Sequence, residues 1–93
     1  MKHWLIIYDI RDAKRLQKTA KTLESIGTRV QYSVFEAEIS IEKLAETRKT
    51  IQAIIQPEDF IIYFQLCQRD WEKRQHFAAG PIAKLDESAY RIL

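Results

Sequence analysis

Apolar residues follow two rhythms along this chain. Residues 2–8 set Trp4, Leu5, Ile6, Ile7 and Tyr8 in unbroken succession, which suits burial on both faces and reads as a central strand. Asp12 is a good N-cap for a helix running to about Ile26. Within it Ala13, Leu16, Ala20 and Leu23 recur at helical spacing, and Gly27 is the expected left-handed stop. Residues 28–39 are rich in β-formers, with Val30, Tyr32, Val34, Phe35 and Ile39, and predict two short strands around a turn near Tyr32-Ser33. Ser40 caps a second helix whose buried stripe is Ile41, Leu44, Ala45, Ile51, Ile54 and Ile55. It ends at Gln56-Pro57, because proline disfavours helix in the residue before it. Residues 60–66 are the next strand, apolar on both faces.

The order βαββαβ predicts an α+β, ferredoxin-like sandwich, with two helices on one face of an antiparallel sheet. Only one face is then covered. Ile61 and Tyr63, or their alternates, remain on the other, and a second copy of the chain is the economical cover. Residues 68–93 read as a C-terminal extension for dimer or partner contacts. It comprises a polar link, a β-like stretch around His76-Phe77-Ala78-Ala79, a turn at Gly80-Pro81 and a terminal segment Ala89-Tyr90-Arg91-Ile92-Leu93, expected as extra edge strands. Without repeats or low-complexity stretches, residues 1–93 are expected to form a single domain.

Composition narrows the class more than the chemistry. With 46% hydrophobic residues, two glycines and two prolines, a 93-residue chain can bury a core, and it is not a disordered tail. The lone Cys67 excludes an internal disulfide and suits a reducing cytoplasm. The N-terminal apolar run is too short for a signal peptide or a membrane span, so no membrane association is expected. A formal charge of +2 does not by itself identify a nucleic-acid binder, so that case rests on where the charges cluster.

They cluster beside Asp9. This carboxylate ends the first strand, and Arg11, Lys14, Arg15, Lys18 and Lys21 follow it, with Lys14, Lys18 and Lys21 on one helix face. A carboxylate where a strand leaves the sheet can hold a metal, and the cations can hold backbone phosphates without reading sequence, so phosphodiester chemistry is suggested. Alternation puts Tyr8 on the opposite face from Asp9. Ser33 has no triad partner and reads as a turn residue, and Phe35 reads as core or interface rather than a stacking platform. His3, His76 and Cys67 lack metal-ligand spacing and are read as structural.

Taken together, Tyr8-Asp9-Ile10 with Asp12 and Lys14-Arg15, then Val30-Gln31-Tyr32-Ser33-Val34-Phe35-Glu36, then Pro57-Glu58-Asp59 before an apolar strand, resemble one family. It is the small CRISPR-associated endoribonuclease of the spacer-adaptation module, the second Cas protein in the usual numbering. Nearly the whole chain follows that family in length and order, and Asp86-Glu87-Ser88-Ala89-Tyr90 is similar to its tail. Two positions depart from it. Asp70 stands where many members have a second cysteine, and Leu16 stands where many have arginine, leaving Lys14, Arg15 or Lys18 to supply that charge.

The resemblance implies a homodimer, a magnesium or manganese ion near the paired Asp9 residues, and a place beside the CRISPR integrase subunits in capturing spacers for antiviral defence. It also implies supporting roles for Tyr8, Ser33 and Phe35 around Asp9. Members that cut RNA or DNA and members that act as scaffolds both fit it. The first reading is therefore a metal-dependent nuclease and its rival a non-catalytic dimer bridging integrase subunits on duplex DNA; a generic ferredoxin-like regulatory domain binding a small ligand is disfavoured by the basic stripe and the absence of a glycine-rich loop.

Overall fold

The structure is a computed structural model that describes the backbone of residues 1–79 and the side chains of residues 1–73. In chain order it comprises β1 (Lys2–Asp9), α1 (Ala13–Glu24), β2 (Gly27–Gln31), β3 (Val34–Ile39), α2 (Ile41–Gln52), β4 (Phe60–Leu66) and α3 (Gln68–Ala79). The four strands form one sheet in the order β2-β3-β1-β4, each neighbouring pair antiparallel, as expected of a ferredoxin-like sandwich.

Both helix starts are built as read from sequence. The Asp12 carboxylate accepts from the Arg15 backbone N–H and the Ser40 hydroxyl from that of Lys43, each at 3.0 Å, satisfying donors that the first helical turn leaves open. On the helix-covered face of the sheet Trp4, Ile6 and Tyr8 of β1 and Phe35, Ala37 and Ile39 of β3 are buried against Leu23 of α1 and Leu44 and Ile51 of α2. The opposite face carries Leu5, Ile7 and Asp9 of β1, which lie in register with Phe64, Ile62 and Phe60 of β4.

Four local expectations are corrected. Gly27 does not adopt a left-handed conformation; it opens β2, and a Cβ there would collide with the Glu36 carbonyl, so close strand approach explains the glycine. Ala13 and Leu16 are exposed, because this side of α1 faces the edge strand where no second helix covers it; Thr19, Ala20 and Leu23 pack instead. In α2, Ile41 and Ala45 are exposed, and the helix stops at Gln52, leaving Ile54 and Ile55 half-buried in the loop that follows.

The fourth correction is at residues 76–79, which are not β-like but lie in α3. Its first turn forms on the Trp71 N–H to Cys67 carbonyl bond and a Gln68–Glu72 side-chain bond one turn apart. Trp71 stacks on His3 with ring centroids 4.4 Å apart, and His3 Nε2 is hydrogen-bonded to Gln68 Oε1 at 2.7 Å. The helix thus covers the His3 end of a sheet face that the other described elements leave open. Gly80-Pro81 and the terminal Ala89–Leu93 segment lie outside the described residues.

Candidate nucleic-acid interface

Asp9 sits at the rim of the sheet face opposite the helices, its side chain 63% exposed and 3.6 Å from the Arg11 guanidinium. Alternation along β1 turns the adjacent Tyr8 the other way, as expected. Tyr8 is buried, stacks on Phe35 at 6.1 Å and donates its hydroxyl to the Tyr32 carbonyl at 3.0 Å. Burial pushes its phenol up, the nearby Arg29 guanidinium opposing that rise. A buried, committed phenol and a fully buried Phe35 are framework, so neither reaches a ligand at Asp9. Ser33 contributes through its backbone, its carbonyl accepting from the Tyr8 N–H at 3.1 Å.

The cations divide into two groups. Arg11, Lys14, Lys18 and Lys21 are exposed and available to phosphates. Arg15 is not in that set. Its side chain is mostly buried; Nε donates to Asp59 Oδ2 at 2.7 Å, and Nη2 to Asp59 Oδ1 at 3.0 Å and Glu58 Oε2 at 3.3 Å. Asp59, with no exposed side-chain surface, also accepts from the backbone N–H groups of Arg11 and Gln56 at 3.2 and 2.9 Å. The Arg15 guanidinium, with these N–H donors, holds the Asp59 carboxyl far below the usual carboxylate range.

Asp59 is therefore the anchor that sets the α1 N-terminus, and with it Arg11, beside Asp9. In the sequence, Pro57-Glu58-Asp59 stands out only through the family resemblance. The signal available was an acidic pair just before a strand that must run antiparallel to β1.

A cation would meet a single carboxylate here. Among the described residues no three His, Cys, Asp or Glu side chains converge, and Arg11 already neutralises Asp9 in part. One chain by itself does not fit a metal, whereas two Asp9 carboxylates with water would suit magnesium, which keeps several waters and binds through one or two carboxylates. No helix among the described residues is long and apolar enough to cross a membrane.

The family model for CRISPR associated protein Cas2 matches residues 1–74. The chain belongs to this Cas2 family. A Chloroflexus aurantiacus relative named CRISPR-associated endoribonuclease Cas2 1 is 32% identical over 91 residues, covering 96% of this chain and 98% of its own. The crystal structure of Streptococcus pyogenes Cas2 superposes with a TM-score of 0.69 at 29% identity, over 77% of this chain and 93% of that one. A chain of a partial Cas6-RT-Cas1–Cas2 complex superposes with a TM-score of 0.67 at 33% identity, over 73% of this chain and 81% of its own. The family match spans both halves of the site, since it runs from Asp9 through the basic helix to Asp59.

Proposed function

We propose that this Cas2 family chain works as a homodimer in CRISPR spacer adaptation, beside Cas1 integrase subunits, and cleaves nucleic-acid phosphodiesters with a metal ion held by the two copies of Asp9. The observation that carries this reading is the position of Asp9: an exposed carboxylate at the rim of the apolar sheet face opposite the helices, 3.6 Å from Arg11 in the link that leads into the basic helix α1. If two bare faces pack about a two-fold axis, the paired Asp9 residues supply the donor set that one chain lacks. A magnesium or manganese ion held there by the two Asp9 carboxylates would supply Lewis-acid chemistry toward water and the phosphoryl oxygens. The chain's own part is to hold the ion with Asp9, keep Arg11 at 3.6 Å from that carboxylate, and position the phosphate backbone with Lys14, Lys18 and Lys21. Membership of a family with a relative named endoribonuclease and a neighbour in a Cas1–Cas2 complex supports both the chemistry and the partner.

That no three metal-binding side chains converge among the described residues favours a second reading, in which the dimer bridges integrase subunits on duplex DNA without cutting it. Purified wild type and Asp9→Asn, assayed on single-stranded RNA and duplex DNA with magnesium, manganese or chelator, separate the two. The expected result is metal-dependent cleavage by wild type that falls by more than about 100-fold in the variant, since even an outer-shell partner of a metal is worth ~10- to 100-fold. Folding and nucleic-acid binding should persist. Equal cleavage by both proteins moves the active site elsewhere, and no cleavage by wild type under any condition leaves the scaffold.

A further inference from the structure

A trough runs along the side of α1 that faces the edge strand. At one end a hollow of about 490 Å³ opens between the helix and the β2–β3 turn, walled by Ala13, Leu16 and Tyr32. Gln17, Ala20 and Arg29 line it too, and these three also line an adjoining space of about 630 Å³ that carries Lys18, Lys21 and Glu24. The two spaces therefore adjoin, the first largely apolar and the second basic.

Two features set the apolar end apart from ordinary surface. Leu16 and Tyr32 are among the few large hydrophobic side chains that the fold leaves exposed, at 37% and 59%. The turn presenting Tyr32 is also held rigidly, with the Tyr8 hydroxyl on the Tyr32 carbonyl and the Tyr8 N–H on the Ser33 carbonyl. An exposed aromatic on a fixed backbone is pre-organised for stacking, with little ordering left to do on binding.

At the basic end three cations, Lys18, Lys21 and Arg29, face one carboxylate, Glu24, which lies 3.6 Å from Arg29. The remaining positive charge suits an anionic chain. A base within a duplex is stacked on its neighbours and cannot enter the hollow, whereas an unpaired base can lie on Tyr32 while its phosphates follow the lysines.

We infer that this trough is a subsite for single-stranded nucleic acid, in which an unpaired base stacks on Tyr32 against Leu16 and the adjoining phosphates lie along Lys18, Lys21 and Arg29. The inference rests on the phosphate-binding role proposed for α1 and adds to it a preference for ends or gaps over continuous duplex.

The test compares a fluorescent blunt duplex with the same duplex bearing a short single-stranded overhang, bound by wild type, Tyr32→Ala and Tyr32→Phe. Wild type should bind the overhang substrate more tightly than the blunt one. Tyr32→Ala should lose about 5- to 150-fold on the overhang substrate, the range expected for one stacked base, and change blunt binding by less than about two-fold. Tyr32→Phe keeps the ring and should behave as wild type. Melting temperature and blunt-duplex binding serve as the fold controls for the alanine variant, whose backbone keeps the carbonyl that accepts from Tyr8.

Photocrosslinking from a halogenated uracil in the overhang, mapped by mass spectrometry, should label Tyr32 without any substitution. An overhang that adds no affinity to wild type, equal losses on both substrates, or a crosslink elsewhere overturns the subsite while leaving phosphate binding by α1 intact. Wild type that binds neither substrate overturns both. Capture of an acidic peptide in place of the overhang would reassign the trough to a protein partner.

Discussion

Asp59 combines a fully buried side chain with three donor groups, so a single atom change there should be felt across the top of the fold. Its carboxyl is held below the usual carboxylate range in the folded state, so near and below pH 4 the unfolded chain binds the proton that the native chain excludes. The stabilisation is thus fully present above the unfolded pKa of about 3.9 and is lost as pH falls through the depressed folded value. Asp59→Asn should lower the melting temperature at pH 7, and the gap to wild type should narrow as pH drops below about 4. Thermal melts of both proteins from pH 7 to pH 2 check this. A gap constant over that range would mean that the charge of Asp59 contributes nothing. Arg15→Ala should destabilise in the same pH-dependent way, because it removes the main partner of the same carboxylate.

Along α1 the two roles of the basic residues separate by helix face. Lys14, Lys18 and Lys21 are exposed, whereas Arg15, one residue away from Lys14, turns toward Asp59. Replacing the three lysines with alanine should lower the slope of log affinity against log salt by about three, one for each lost phosphate contact, with little dependence on base sequence. Stability should hardly change, since none of the three makes a described ion pair. Titration by fluorescence anisotropy at several salt concentrations is the measurement, and an unchanged slope would place the phosphate contacts elsewhere. The same helix illustrates a limit of periodicity. Ala13 and Leu16 satisfy the apolar stripe, yet they border the trough because the sheet and α2 lie under the later turns, where Thr19, Ala20 and Leu23 are buried.

At the scale of the molecule the unbalanced feature, among the described residues, is the sheet face opposite α1 and α2. Phe60 and Phe64 are 48% and 46% exposed, with Ile62, Leu5 and Ile7 beside them, while Trp71 of α3 stacks on the His3 end. Sedimentation at micromolar concentration should give twice the 11.0 kDa chain mass. Phe64→Glu should weaken the dimer by about 100-fold or more, because burying one phenyl group is worth ~1.5–3 kcal/mol and a two-fold axis counts it twice. A wild-type monomer at that concentration, or a Phe64→Glu dimer of unchanged affinity, would move the interface off this face. Loss of the dimer should also remove any cleavage that needs both Asp9 carboxylates, which ties the assembly to the chemistry.

What the sequence by itself determined are the features that local rules control. The caps at Asp12 and Ser40 act over three residues, β4 at Phe60–Leu66 follows from its apolar run, and the opposition of Tyr8 and Asp9 follows from strand alternation. The element order then constrained the sheet, and the motif around Asp9 marked one end of it. Tertiary structure alone decided which distant groups meet. Arg15 and Asp59 are 44 residues apart, and Tyr8 and Tyr32 are 24 apart, so both contacts depend on the order β2-β3-β1-β4 rather than on neighbouring residues. Gly27 is required by the approach of β2 to β3, and the β-like stretch at 76–79 lies in a helix that docks Trp71 on His3 from the other end of the chain. Periodicity specifies which side of an element is apolar; the sheet order specifies what that side meets, and here it left Ala13 and Leu16 of α1 open to the trough rather than packed.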